Sequence, residues 1–166
     1  MTNFEAALDD AFDELEAKLG RLPNTDEEAE LRDGLFHSWV KSTRFDELIE
    51  YVQDYHELEG GLGDTSILSE ALKRAGDLAR IEQLFEGLLK ARCKAFSEVW
   101  AQAQAGHIGA MRESAKHMAA VMEAYAGLYH GYWSLQNEPG MAKVKAQMLH
   151  FQTHRTEPPH PPAEPT

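Results

Sequence analysis

The sequence predicts an all-α protein of six to eight helices. Apolar residues recur at spacings of three and four in segment after segment, and capping residues and glycines punctuate those segments. No segment sustains the apolar/polar alternation of a half-buried strand.

The elements follow in order. Phe4, Leu8, Phe12, Leu15 and Leu19 form one helical stripe, with Asp9, Asp10, Asp13 and Glu14 facing away from it. Gly20 and Pro23 stop that helix. Thr25-Asp26-Glu27-Glu28 reads as a capping box that opens a second helix, carrying Leu35, Phe36, Trp39 and Val40. Arg44–Glu57 is a third. Gly60-Gly61-Leu62-Gly63 breaks the chain, and Asp64-Thr65-Ser66 offers N-caps for a fourth. Gly76-Asp77 and Gly106-His107 mark two further turns. Between Leu78 and Ala105 only Gly87 could interrupt, so one long helix is expected there. Ile108–Asn137 is its long partner, spanning about 45 Å at the helical rise. Pro139-Gly140 ends that segment, and Met141–Thr153 forms a short last helix. The expected organisation is one helical domain over 1–155, with an acidic helix in 1–24, a repeat-like core in 25–137 and a short helix in 138–155. Residues 156–166, TEPPHPPAEPT, read as a disordered proline-rich tail.

The most concentrated signal is Met118–Trp133, MAAVMEAYAGLYHGYW. Ile108, Met111, Ala115, Met118, Met122, Tyr125, Tyr129 and Tyr132 alternate spacings of three and four, one face of the helix. Val121, Leu128 and Leu135 flank it on one side, and Ala119, Ala126 and Trp133 on the other. Such a helix must be covered on more than one side. Gly127 and Gly131 each cost about 1 kcal/mol relative to alanine in a helix interior, which a close approach by a neighbouring helix would justify. Most of the stripe therefore reads as core. Its aromatic end is the candidate partner-binding surface: Met122, Tyr125, Tyr129, Tyr132 and Trp133. Tyrosine and tryptophan combine apolar area with a polar tip, and methionine adapts to varied surfaces. Tyr129, central in the stripe, is expected in the core, and Trp133, on the flank, at the contact.

Charge is unevenly placed. Residues 1–70 hold 19 acidic and 5 basic side chains, a net of −14, while residues 71–166 hold 9 and 11. No basic stripe exists to replace phosphate counterions, so nucleic acid and anionic membrane surfaces are disfavoured as partners. The acidic half can steer a basic protein. No run of about 18 apolar residues is present to span a bilayer. The acidic amino terminus has neither the basic nor the apolar region of a signal peptide, so a cytoplasmic protein is expected.

Catalytic chemistry is sparse. Cys93 is the one cysteine and reads as a small buried hydrophobe. His150 and His154 share a helix face, but the next histidine, His160, lies in the proline-rich tail and cannot complete a fixed metal geometry. Glu113 and His117 are likewise four apart, without the Glu-x-x-His pairs of a carboxylate-bridged di-iron site. There is no phosphate-cradling glycine loop, no GxSxG and no HExxH. The sequence therefore predicts a protein that is not an enzyme and carries no cofactor and no metal.

Three windows share a pattern: Thr43-Arg44-Phe45-Asp46-Glu47-Leu48, Gly76-Asp77-Leu78-Ala79-Arg80-Ile81 and Gly106-His107-Ile108-Gly109-Ala110-Met111. They are offset by 33 and then 30 residues, close to the roughly 34-residue period of paired-helix solenoids. These windows resemble the inter-helix turn of tetratricopeptide repeats in a degenerate form, over residues 28–137. The resemblance implies a right-handed stack of antiparallel helix pairs. No proline closes any unit, and Thr43-Arg44 stands where Gly-Asp is the rule. An irregular bundle built on a long αα-hairpin is the rival architecture. In size and acidity the chain is also similar to the tetratricopeptide-type chaperones of bacterial secretion systems. The functional expectation is a protein–protein interaction module: adaptor, regulator or chaperone-like protein. Its partner is another protein, a basic one for preference, and the composition also admits a homodimer. An immunity-type inhibitor of a basic toxin and a small-molecule or metal-binding bundle are the alternatives.

Overall fold

The structure is a computed structural model, and it describes residues 1–55 and 62–156. The expected glycine break at Gly60-Gly61, the last two residues of the expected third helix, the tail from residue 157 and His160 lie outside the described residues. Among the described residues there are seven helices and no strand: α1 (Asn3–Leu19), α2 (Thr25–Lys41), α3 (Phe45–Tyr55), α4 (Leu62–Ala75), α5 (Leu78–Gln104), α6 (Ala110–Ser134) and α7 (Glu138–His154). The protein is all-α. It divides into two compact units, Met1–Leu84 and Phe85–Thr166.

The first unit starts with a reciprocal cap. The Glu5 amide donates to Thr2 Oγ1 at 3.2 Å, and the Thr2 amide donates to Glu5 Oε2 at 2.6 Å. Gly20, left-handed at φ 68°, ends α1. The box at the start of α2 sits one residue earlier than the sequence suggested. Asn24, not Thr25, is the cap: its side chain accepts from the Asp26 and Glu27 amides at 3.0 Å each, and Glu27 Oε2 accepts from the Asn24 amide at 2.9 Å. Asparagine is the stronger cap, and the earlier register also lets Glu27 take Arg21 at 2.7 and 2.8 Å. The Arg21 hydrogen bonds, then the Asn24 amide, hold the Glu27 carboxyl down at about 2.

An aromatic cluster closes this unit. The Phe4 ring lies 5.8 Å from Phe36, 5.1 Å from Trp39 and 4.4 Å from Tyr51, joining α1, α2 and α3. Arg44 stacks on the outer face of Trp39, 3.4 Å from its centroid. Leu48, Ile49, Val52, Leu68, Leu72, Ile81 and Leu84 extend the core through α3, α4 and the start of α5. The expected caps Asp64 to Ser66 fall instead inside the first turn of α4, which begins at Leu62. There Asp64, buried, complements the positive end of the helix and receives Arg32 Nη1 from α2 at 2.6 Å.

One turn type recurs along the chain. At Thr43, Gly76, Gly106 and Gln136 the backbone is left-handed. Each of these amides donates three residues back, and the next amide donates five residues back: Arg44 to Trp39, Asp77 to Leu72, His107 to Gln102 and Asn137 to Tyr132. These are the paired bonds that satisfy the last carbonyls of a helix. The fourth turn corrects the sequence reading of Pro139-Gly140 as a stop. Helix α6 ends at Ser134, and Pro139 and Gly140 lie in the first turn of α7, whose cap Asn137 accepts from the Gly140 amide at 2.8 Å. A proline there surrenders an amide that has no helical partner anyway.

The second unit packs the later part of α5 with α6 and α7 around Leu88, Cys93, Phe96, Val121, Tyr125, Leu128, Tyr132, Val144 and Phe151. Phe96 and Phe151 meet at 5.2 Å, and Tyr125 and Phe151 at 6.2 Å. Gly127 gives its missing side chain's place to the Phe85 ring, and Gly140 to the Tyr132 ring. Arg92 is buried and donates through Nη1 to the Ala120 carbonyl, with Glu123 at 4.0 Å. Burial pushes the Arg92 guanidinium down, against the pull of Glu123. The buried line of α6 is rotated from the one read in the sequence. Val121 and Leu128, expected on the flank, are in the core, while Met111 is exposed and Ile108 lies outside the helix in solvent.

Candidate functional site

In the first unit the apolar stripe of α1 is only partly covered. Phe4 is sealed in the aromatic cluster, but Leu8, Phe12 and Leu15 are half-buried, and Leu19 and Leu22 are exposed. An amphipathic helix is held by its apolar face, so a stripe left half open is a surface with capacity to bind more. Leu8 and Phe12 of that stripe form one wall of an open groove of about 860 Å³. Met1, Leu8 and Phe12 of the α1 side and Ala29 of α2 make its apolar floor, and Thr25 lies beside them. Glu5, Asp9, Glu28 and Asp54 set four carboxylates around that floor.

Arg32 and Tyr51 also line the groove. Arg32 is engaged within the unit, with Nη1 on Asp64 at 2.6 Å and Nη2 on Asp33 at 2.7 Å. Burial pulls its guanidinium down, but hydrogen bonds and charge contacts with Tyr51 and Asp64 outweigh that and hold it above the usual arginine value. Arg32, the one cation lining the groove among the described residues, is thus neutralised by partners within the unit. Asp9, Glu28 and Asp54 are exposed and form no ion pair among the described residues, whereas Glu27, Asp46, Glu47, Asp64 and Asp77 are each paired with an arginine. The whole unit carries 21 acidic and 8 basic side chains, a net of −13, against +1 for the second unit.

The aromatic candidates of the second unit separate. Tyr125 and Tyr132 are each 2% exposed and belong to the core, the latter resting against Gly140. Met122 and Tyr129 are half-buried, with Lys145 5.4 Å from the Tyr129 centroid. Trp133 stands out, 63% exposed. The five residues therefore do not make one continuous surface. His150 and His154 pair their rings at 4.5 Å. Among the described residues no three His, Cys, Asp or Glu side chains come together as metal ligands, and no helix is long and apolar enough to cross a membrane.

The far wall of the groove, Glu28, Arg32, Tyr51 and Asp54, was not read from the sequence as part of a site. One signal was available: Arg32 is the lone cation among the five carboxylates of Asp26, Glu27, Glu28, Glu30 and Asp33. Comparison of the chain with family models, curated proteins and solved structures found no match.

Proposed function

We propose that this protein is a non-enzymatic protein-binding module, an adaptor, regulator or chaperone-like protein, and that its working surface is the α1–α2 groove of the acidic unit. The observation that carries the reading is the half-open α1 stripe ringed by carboxylates that form no ion pair among the described residues. Apolar floor with a polar rim is the anatomy of a recognition surface, and the surplus negative charge speeds encounter with a basic partner. Among the described residues the groove lining holds no histidine, cysteine or serine to form a nucleophile–base pair.

Affinity capture from native lysate tests the reading with three forms: the natural chain, Asp9→Lys combined with Glu28→Lys, and Trp133→Ala. Loss of a specific partner with the first variant and its retention with Trp133→Ala is the expected result. Retention with the groove variant and loss with Trp133→Ala would move the interface to α6. An immunity-type inhibitor would use the same acidic surface, and rescue of cells from a basic toxin on coexpression distinguishes that role.

A further inference from the structure

The walls of the groove restrict what can occupy it. They are helices, and away from the helix ends their backbone amides and carbonyls are spent on their own hydrogen bonds. An extended peptide entering here would find no sheet edge to pair with, so strand addition is disfavoured. A helix brings its backbone bonds already made and needs only an apolar face. From Glu5 to Phe12 the α1 lining runs about 10 Å at the helical rise, and Met1, ahead of the helix start at Asn3, carries the floor further, enough to seat a guest helix of about three turns. Leu8 and Phe12, four apart, give two successive turns of floor, and Glu5 and Asp9, also four apart, run alongside at the same pitch. Glu28 and Asp54 supply negative charge from α2 and α3.

We propose that this groove receives a three-turn amphipathic helix of another protein, apolar on one face and edged with lysine or arginine at spacings of four. The proposal rests on the groove being the partner surface. The apolar face of the guest covers Leu8, Phe12 and Ala29, and its cations pair with Asp9, Glu28 and Asp54, none of which has an ion-pair partner among the described residues. A guest with acidic edges would meet four like charges.

Fluorescence anisotropy with the full chain and three synthetic eleven-residue peptides tests this. One is a Lys/Leu/Ala helix with leucines on one face; the second has the same composition in an order that scatters the leucines; the third is the first with Glu for Lys. Saturable binding of the first, at least tenfold tighter than either other peptide and weakened tenfold or more by Asp9→Lys with Glu28→Lys, is the expected result. Equal binding of the scattered peptide would reduce the effect to bulk charge attraction and overturn the proposal. So would the absence of saturation, or binding indifferent to the double variant. If the peptides fail while the double variant still abolishes partner capture, the guest chemistry is wrong and the binding module stands. If neither responds to the double variant, both fall.

Discussion

At the scale of single residues, two positions show how local geometry decides stability. An alanine at Gly127 would place its Cβ inside the contact distance of the Phe85 ring, which is itself buried. Helix propensity favours alanine by about 1 kcal/mol, but overpacking costs about 1–3 kcal/mol. Gly127→Ala should therefore lower stability by about 1 kcal/mol, and Phe85→Leu in the same chain should recover part of the loss, read by urea unfolding as a double-mutant cycle. Gln136 is the opposite case. It is exposed and left-handed at φ 55°, a conformation costing a side chain about 1–2 kcal/mol. Glycine removes that strain while freeing the unfolded chain by about 0.5–1 kcal/mol. Gln136→Gly should raise the urea midpoint by a small amount; a lower midpoint would mean that the Gln136 side chain does more than the structure indicates.

At the scale of elements, the caps carry the pH dependence. Glu27 has a folded pKa of about 2, set first by Arg21 and then by the Asn24 amide, below the roughly 4.3 of an unfolded chain. A depressed carboxyl stabilises fully above the unfolded value and loses that contribution as pH falls through the folded one. Asp46 and Asp77, lowered chiefly by hydrogen bonds from Arg80, act in the same direction. Urea midpoints should hold between pH 7 and 5 and then decline toward pH 2. In Glu27→Gln the decline from about pH 4.3 downward should be shallower; an unchanged slope would remove Glu27 from the account. Elements were also where the sequence was most legible. The all-helical class, the long uninterrupted α5 and the turns at Thr43, Gly76 and Gly106 could be read from spacing and glycine. The turn at Gln136 was missed, because no glycine marks it and the nearby Pro139-Gly140 reads as the stop. Pro139 was read as a stop because proline suits both the first turn of a helix and the residues after its end. The one-residue error at Asn24 arose because Asn24–Glu27 and Thr25–Glu28 both satisfy the capping-box spacing, and only the structure shows which one Arg21 reinforces.

At the scale of the whole molecule, the acidic charge is concentrated in the unit that carries the groove. The stripe of α1 was legible residue by residue, but whether its neighbours cover Leu8 and Phe12 depends on how α2 and α3 pack, which no local pattern specifies. The aromatic stretch misled for the related reason that a helix apolar on most sides does not reveal which line faces inward. Val121, Tyr125, Leu128 and Tyr132 do, and Trp133 does not. With a net of −13 on the first unit, association with a basic partner should slow as salt rises from about 50 to 500 mM and the Debye length contracts several-fold. A flat on-rate in stopped-flow measurements would return those carboxylates to the role of solvated surface.

Placement of the partner on the α1–α2 groove can be read by backbone hydrogen exchange of the full chain with and without its captured partner. The expected result is slowed exchange through residues 1–15 and 25–32, with residues 110–134 unchanged. Protection confined to residues 110–134, with α1 and α2 exchanging as in the free protein, would contradict it.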